Sequence, residues 1–133
     1  MKLSSLFFAA LVVGLVNDGV AVSPPQTITG ADTNHPITLQ IGQEILLHLE
    51  SNRSTGYRWF LTESKNPVLS NVGTPTYQVD RPLPGAGGVE TWTFRTDKIG
   101  TGTLELEYRR SWEKNVPPAK TVIFHITVRQ NAI

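Results

Sequence analysis

From residue 37 onward, apolar and polar residues alternate with a period of two along most of this chain, the pattern of half-buried β-strands. Ile37, Leu39 and Ile41 alternate with Thr38 and Gln40 before Gly42-Gln43 turns the chain. Glu44 to Glu50 then sets Ile45, Leu47 and Leu49 on one face, with Leu46, His48 and Glu50 on the other. Tyr57 to Thr62 is rich in the aromatic residues that favour pleated surfaces. Asn66-Pro67 opens an irregular stretch, and Thr74 to Val79 reads as a short edge strand. Val89, Thr91, Thr93 and Arg95 oppose Glu90, Trp92 and Phe94, and Asp97-Lys98-Ile99-Gly100 makes the next turn. Thr103 to Arg109 points Leu104, Leu106 and Tyr108 inward. After a polar loop with Pro117-Pro118, Thr121 to Arg129 offers Val122, Phe124, Ile126 and Val128 to a core.

No part of this region holds a helical stripe. About seven short strands divided by Gly/Pro turns predict an all-β, immunoglobulin-like antiparallel β-sandwich. With no cysteine in the chain, such a sandwich has no disulfide between its sheets, and thiolate catalysis and thiolate metal binding are excluded. We assign residues 36–131 to this domain and 22–35 to a flexible lead-in, because Ser23 to Asn34 is rich in Pro, Thr and Gly and lacks periodicity.

The chain start follows different rules. Met1-Lys2 is basic, Leu3 to Val16 is almost wholly apolar, and small residues stand at Gly19-Val20-Ala21. That is the arrangement of a secretory signal peptide over residues 1–21, and the apolar run falls short of the ~20 residues that span a bilayer. The expected product is exported, periplasmic or secreted, and free of the membrane once the leader is cleaved. A domain of roughly 110 residues can bury a core without staples.

Charge narrows the partners. Twelve Lys+Arg against 11 Asp+Glu, a formal net of +1, are spread along the chain, with none of the clustered basic face that nucleic acid requires. The three histidines, His35, His48 and His125, lack metal-ligand spacing to one another. No Gly-x-Ser-x-Gly turn or other nucleophile–base setting is present. These observations predict no enzyme activity, no metal and no cofactor. No long apolar surface run calls for an oligomer, so a monomer is expected.

Three short segments between strands stand out. Asn52-Arg53-Ser54-Thr55-Gly56-Tyr57 suits a tight loop whose side chains fold back on their own backbone, or a rigid tip presenting small polar groups. Asn52-Arg53-Ser54 also meets the glycosylation pattern. Gly85-Ala86-Gly87-Gly88 reads first as a flexible turn, but missing Cβ atoms also allow its backbone to lie against another chain. It is no phosphate cradle, since no Lys-Ser/Thr follows. Arg110-Ser111-Trp112 carries a Trp beyond its strand's alternation, next to Arg. Both residue types are enriched at binding hot spots. The plainer alternative is a Trp folded back as a lid on the sandwich.

In this order the segments resemble the chagasin family of cysteine-protease inhibitors, whose pattern is Asn-Pro-Thr-Thr-Gly, then Gly-x-Gly-Gly, then Arg-Pro-Trp. Asn52, Thr55 and Gly56 match the first, Gly85, Gly87 and Gly88 the second, and Arg110 and Trp112 the third. Tyr57 and Trp59 resemble the aromatic start of the strand after the first loop, and the likeness runs from about Gly42 to Arg129. The resemblance implies a reversible inhibitor of papain-like, cathepsin-type cysteine proteases. Its three loops would form a wedge in the active-site cleft. The protease-binding residues would be Asn52, Ser54, Thr55, Gly56, Pro84, Gly85, Ala86, Gly87, Gly88, Arg110 and Trp112. Thr55 would face the catalytic Cys and His, the glycine loop would pair its backbone with the substrate groove, and Arg110 and Trp112 would pack on the primed side.

Two family prolines are replaced, by Arg53 and Ser111. Their loss implies a looser free wedge, and restoring both would be expected to tighten inhibition. Pro84, with Leu83 behind it, stands where the family often places an apolar residue for the enzyme's main specificity pocket. The rival class is a secreted or periplasmic β-sandwich module binding carbohydrate or protein. Such a module would use aromatics on a sheet face instead of loops at one end.

Overall fold

The computed structural model describes residues 23–62 and 66–131. The expected signal peptide, 1–21, lies outside the described residues. Among the described residues nine strands form two sheets: β1 (Gln26–Thr29), β2 (Ile37–Gln40), β3 (Glu44–Ser51), β4 (Tyr57–Leu61), β5 (Leu69–Asn71), β6 (Thr76–Val79), β7 (Gly88–Thr96), β8 (Gly100–Arg110) and β9 (Lys120–Arg129). One sheet runs β1-β3-β7-β5, with β6 also on β7; the other runs β2-β9-β8-β4.

The alternation seen in sequence is what faces the sheets together. Ile45, Leu47 and Leu49 of β3 pack with Trp92 and Phe94 of β7, Leu104, Leu106 and Tyr108 of β8, and Phe124, Ile126 and Val128 of β9. Val122, expected in the core, is half-buried and packs against the cluster's margin.

The strands missed in sequence are short. The segment expected as a flexible lead-in instead holds β1, paired parallel to β3, with Ile28 buried at 2% exposure. A 3-10 turn at Gly30–Asn34 follows, closed by Thr29 N–H donating to Asp32 Oδ2 at 2.8 Å and by Ala31 N–H donating to Thr29 Oγ1 at 3.2 Å. That turn carries the chain across to the second sheet, where β2 pairs parallel to β9. Both strands on the lead-in side are therefore parallel additions to a sandwich whose other pairings are antiparallel. With only one buried side chain, β1 had no alternation to reveal it. β5 is launched by Asn66, whose Oδ1 accepts from Val68 N–H at 3.2 Å and Leu69 N–H at 3.1 Å.

Candidate functional site

The loops after β3, before β7 and after β8 meet at one end of the sandwich because the strands that carry them are register neighbours. Ser51 pairs with Gly88 across β3 and β7, and Tyr57 pairs with Arg110 across β4 and β8. Of the strand termini, these are the ones that bring all three segments singled out in sequence to the same end.

The first loop is a single 3-10 turn, Arg53–Thr55, capped by Asn52 and closed by Gly56 in the left-handed region at φ 84°. Its polar groups are spent on the loop itself. Asn52 Oδ1 accepts from Ser54 N–H at 3.1 Å and Ser54 Oγ at 2.6 Å. Thr55 Oγ donates to the Asn52 carbonyl at 2.6 Å and accepts from Tyr57 N–H at 3.3 Å. Thr55 N–H also donates to Asn52 O, at 3.1 Å. Of the two readings of this segment, side chains that fold back on their own backbone are what the structure shows. Ser54 and Thr55 are exposed, but their hydroxyls turn inward.

Two side chains tie the three loops into one body. Asn52 Nδ2 donates to the Gly85 carbonyl at 3.1 Å, joining the first loop to the glycine loop. The same bond commits the amide that glycosylation would modify. Arg110 Nε donates to the Thr55 carbonyl at 3.0 Å, joining the first loop to the third. The Arg110 guanidinium lies over Tyr57 at 4.3 Å and Trp112 at 6.0 Å, and it meets Glu113 at 3.5 Å. Arg110 is accordingly an internal clamp, whatever else it touches.

Trp112 resolves the choice between lid and free aromatic. It is 63% exposed, yet its ring edge lies on Gly56, where an added Cβ would collide with Trp112 Cη2. The ring edge is held by the first loop while most of the indole stays exposed.

The glycines differ in what they require. Gly85 has φ 78°, and Gly88 sits so close to β6 that a Cβ would clash with the Gln78 carbonyl and the Tyr77 ring. Gly87 has ordinary φ, and a Cβ there would meet nothing nearer than Ser51 O at 3.6 Å. The left-handed backbone therefore explains Gly85 and close packing explains Gly88, while Gly87 is left without a reason inside the molecule. Pro84 and Leu83 are exposed at the turn closed by Ala86 N–H donating to Leu83 O at 3.1 Å, with Ala86 half-buried behind them.

Beneath the loops lies a group that the sequence reading did not single out. Glu90 is 1% exposed. Its carboxyl accepts from Ser51 Oγ at 2.8 Å, Trp59 N–H at 3.3 Å and Trp92 Nε1 at 3.2 Å. It thereby holds the residue before the first loop and the strand after it. Tyr108, stacked on Tyr57 at 5.2 Å, adds its hydroxyl as acceptor for Asn52 N–H at 2.8 Å. Arg53 stacks over Tyr77 at 4.5 Å, and its Nε is buried without a hydrogen-bond partner, so the ring contact is what holds it. No group of three or more His, Asp or Glu able to hold a metal occurs among the described residues.

A family model described as chagasin family peptidase inhibitor I42 matches residues 38–128. The chain belongs to the chagasin family. Chagasin of Trypanosoma cruzi is 30% identical over 89 residues, covering 64% of this chain and 81% of chagasin. Amoebiasin-1 of Entamoeba histolytica is 34% identical over 94 residues, covering 67% of this chain and 86% of that protein. Among solved structures, the cysteine protease inhibitor EhICP2 from Entamoeba histolytica superposes with a TM-score of 0.69 at 23% identity, covering 80% of this chain and 96% of that one. PbICP-C, solved in complex with falcipain-2, superposes with a TM-score of 0.53 at 21% identity, covering 86% and 96%. The protein is a chagasin-family cysteine protease inhibitor, not an enzyme.

Proposed function

We propose that the three loops act as one preformed wedge that enters the active-site cleft of a papain-like cysteine protease and blocks it reversibly. The observation that carries this reading is the cross-bracing: Asn52 to Gly85 and Arg110 to Thr55 fix three loops as a unit at one end of the sandwich. A surface already ordered loses little entropy on binding. Thr55 leads the wedge with its hydroxyl and N–H engaged internally, so it offers the enzyme's nucleophile an inert tip. Gly87, with no steric reason of its own to be glycine, allows the enzyme's substrate groove to approach the backbone. The exposed indole of Trp112 supplies an aromatic anchor.

The rival sheet-face module finds no platform in Trp59 and Trp92, which are buried, or in Phe60, which Arg109 covers at 4.2 Å. The deciding experiment is titration of papain with the purified domain. Stoichiometric, reversible loss of activity supports the wedge, and full activity at micromolar protein ends it. From the leader pattern we also infer export. Amino-terminal sequencing of the periplasmic or secreted product, with cleavage expected after Ala21, tests the export.

A further inference from the structure

Each of the three loops carries one cation with no carboxylate partner. Arg53 stands on the first, Arg81 on the second and Lys114 on the third, with Lys120 in the cleft between the loops and the sandwich flank. The ion pairs among the described residues are Arg95–Glu44, Arg109–Glu107 and Arg110–Glu113, and none uses these four. Arg53 and Lys120 instead lie over the rings of Tyr77 and Tyr108, contacts that leave the charge in place. Counting Arg110 and Lys120 at the strand ends, five cations oppose Asp80, Glu113 and Glu50, which lines the same cleft as Lys120, a net of +2 that leaves −1 for the rest of a chain whose total is +1. The residues at the loop tips are themselves uncharged: Ser54, Thr55, Gly56, Ala86, Gly87 and Trp112.

We propose that these cations form a collar around a neutral wedge, and that it favours cysteine proteases whose cleft margins are acidic. The inference rests on the wedge reading and adds the chemistry of the preferred partner. Rim charges act mainly on encounter. Complementary fields raise association rates above the roughly 10⁵–10⁶ M⁻¹s⁻¹ of neutral surfaces and fade as salt shortens the Debye length to about 8 Å at physiological ionic strength. The tip, being neutral and braced, governs how long the complex lasts.

The test measures association and dissociation rates for two papain-like proteases of known sequence. One carries excess Asp/Glu along its cleft margins and the other excess Lys/Arg. For the acidic enzyme, association should fall about tenfold between roughly 25 and 400 mM NaCl, while dissociation changes little. The doubly reversed variant Arg81→Glu/Lys114→Glu alters two exposed residues without ion-pair partners, so the fold should be kept. It should slow capture of the acidic enzyme at low salt by about tenfold and speed capture of the basic one. Inhibition that persists with association rates indifferent to both salt and charge reversal overturns the collar and leaves the wedge standing. An effect carried wholly by dissociation overturns it as well. Failure of the native chain to inhibit either enzyme overturns the wedge and the collar together.

Discussion

Arg110 donates through Nε to the carbonyl oxygen of Thr55 at 3.0 Å while its guanidinium lies 4.3 Å over the ring of Tyr57. One side chain at the end of β8 thus fixes both the tip of the first loop and the root of the strand that follows it. A hydrogen bond to a charged donor contributes about 1.5–3 kcal/mol, and an exposed cation–π contact about 0.5–1 kcal/mol. Arg110→Ala should therefore weaken inhibition by at least about tenfold, the equivalent of ~1.4 kcal/mol. Arg110→Lys keeps the charge but loses the planar donor, and it should recover little of that loss. Inhibition constants for the two variants decide the matter; full recovery by Lys would mean that charge alone matters.

Gly56 and Trp112 form the second dependent pair. A side chain at Gly56 faces two obstacles, a left-handed backbone at φ 84° and the Trp112 ring on its Cα. Holding a non-glycine residue there costs of order 1–3 kcal/mol, and the ring must also swing away. Gly56→Ala should destabilise the domain by about that amount and abolish most inhibition. Because displacement of Trp112 is part of the damage, adding Trp112→Ala to Gly56→Ala should cost less than the two single changes predict. Urea unfolding and inhibition assays on the double-mutant cycle check this, and strict additivity would show that the ring is not in the way.

The glycine loop separates fold from function at neighbouring positions. Gly88→Ala forces a methyl group into the Gln78 carbonyl and the Tyr77 ring, so a loss of about 1–3 kcal/mol in unfolding free energy is expected. Gly87→Ala meets only ordinary contacts and should leave stability within about 0.5 kcal/mol. Its effect should fall on inhibition, with constants raised at least about fivefold if the protease approaches the loop backbone closely. An unchanged inhibition constant for Gly87→Ala would remove the proposed backbone pairing.

Much of this architecture was legible in the chain because alternation is a strong signal wherever one face is buried. β3, β7, β8 and β9 alternate over 8 to 11 residues, long enough to read. β1 and β5 have four and three residues and bury one side chain each, which leaves no period to read. The three loop segments were visible as composition, but the bonds that join them run between residues 33 and 55 positions apart. Only the register of the sheets brings such partners together. Glu90 escaped notice for a similar reason. It shares a face with Trp92 and Phe94 in the alternation, and what makes a carboxyl tolerable there is a set of donors from Ser51, Trp59 and Trp92 that no local pattern announces.

Restoring the two family prolines should have unequal effects, contrary to the simple expectation that both tighten the wedge. Arg53 opens a 3-10 turn after an extended Asn52 at φ −130°, ψ 95°, a backbone that accepts proline. Yet Arg53→Pro removes the cation from Tyr77, which lies 4.5 Å away. The gain of about 0.4–1 kcal/mol from a stiffer chain is then offset by a similar loss. Inhibition should stay within about threefold of the parent. Ser111 has no such contact to lose. It occupies the second position of a turn closed by Glu113 N–H donating to the Arg110 carbonyl at 3.3 Å, where proline's fixed φ is favoured. Ser111→Pro should raise stability by about 0.4–1 kcal/mol and, by preordering the Trp112 loop, tighten inhibition by about two- to fivefold. Thermal unfolding and inhibition constants for the two single variants make the comparison. Equal tightening by both would show that the Arg53–Tyr77 contact does not restrain the first loop.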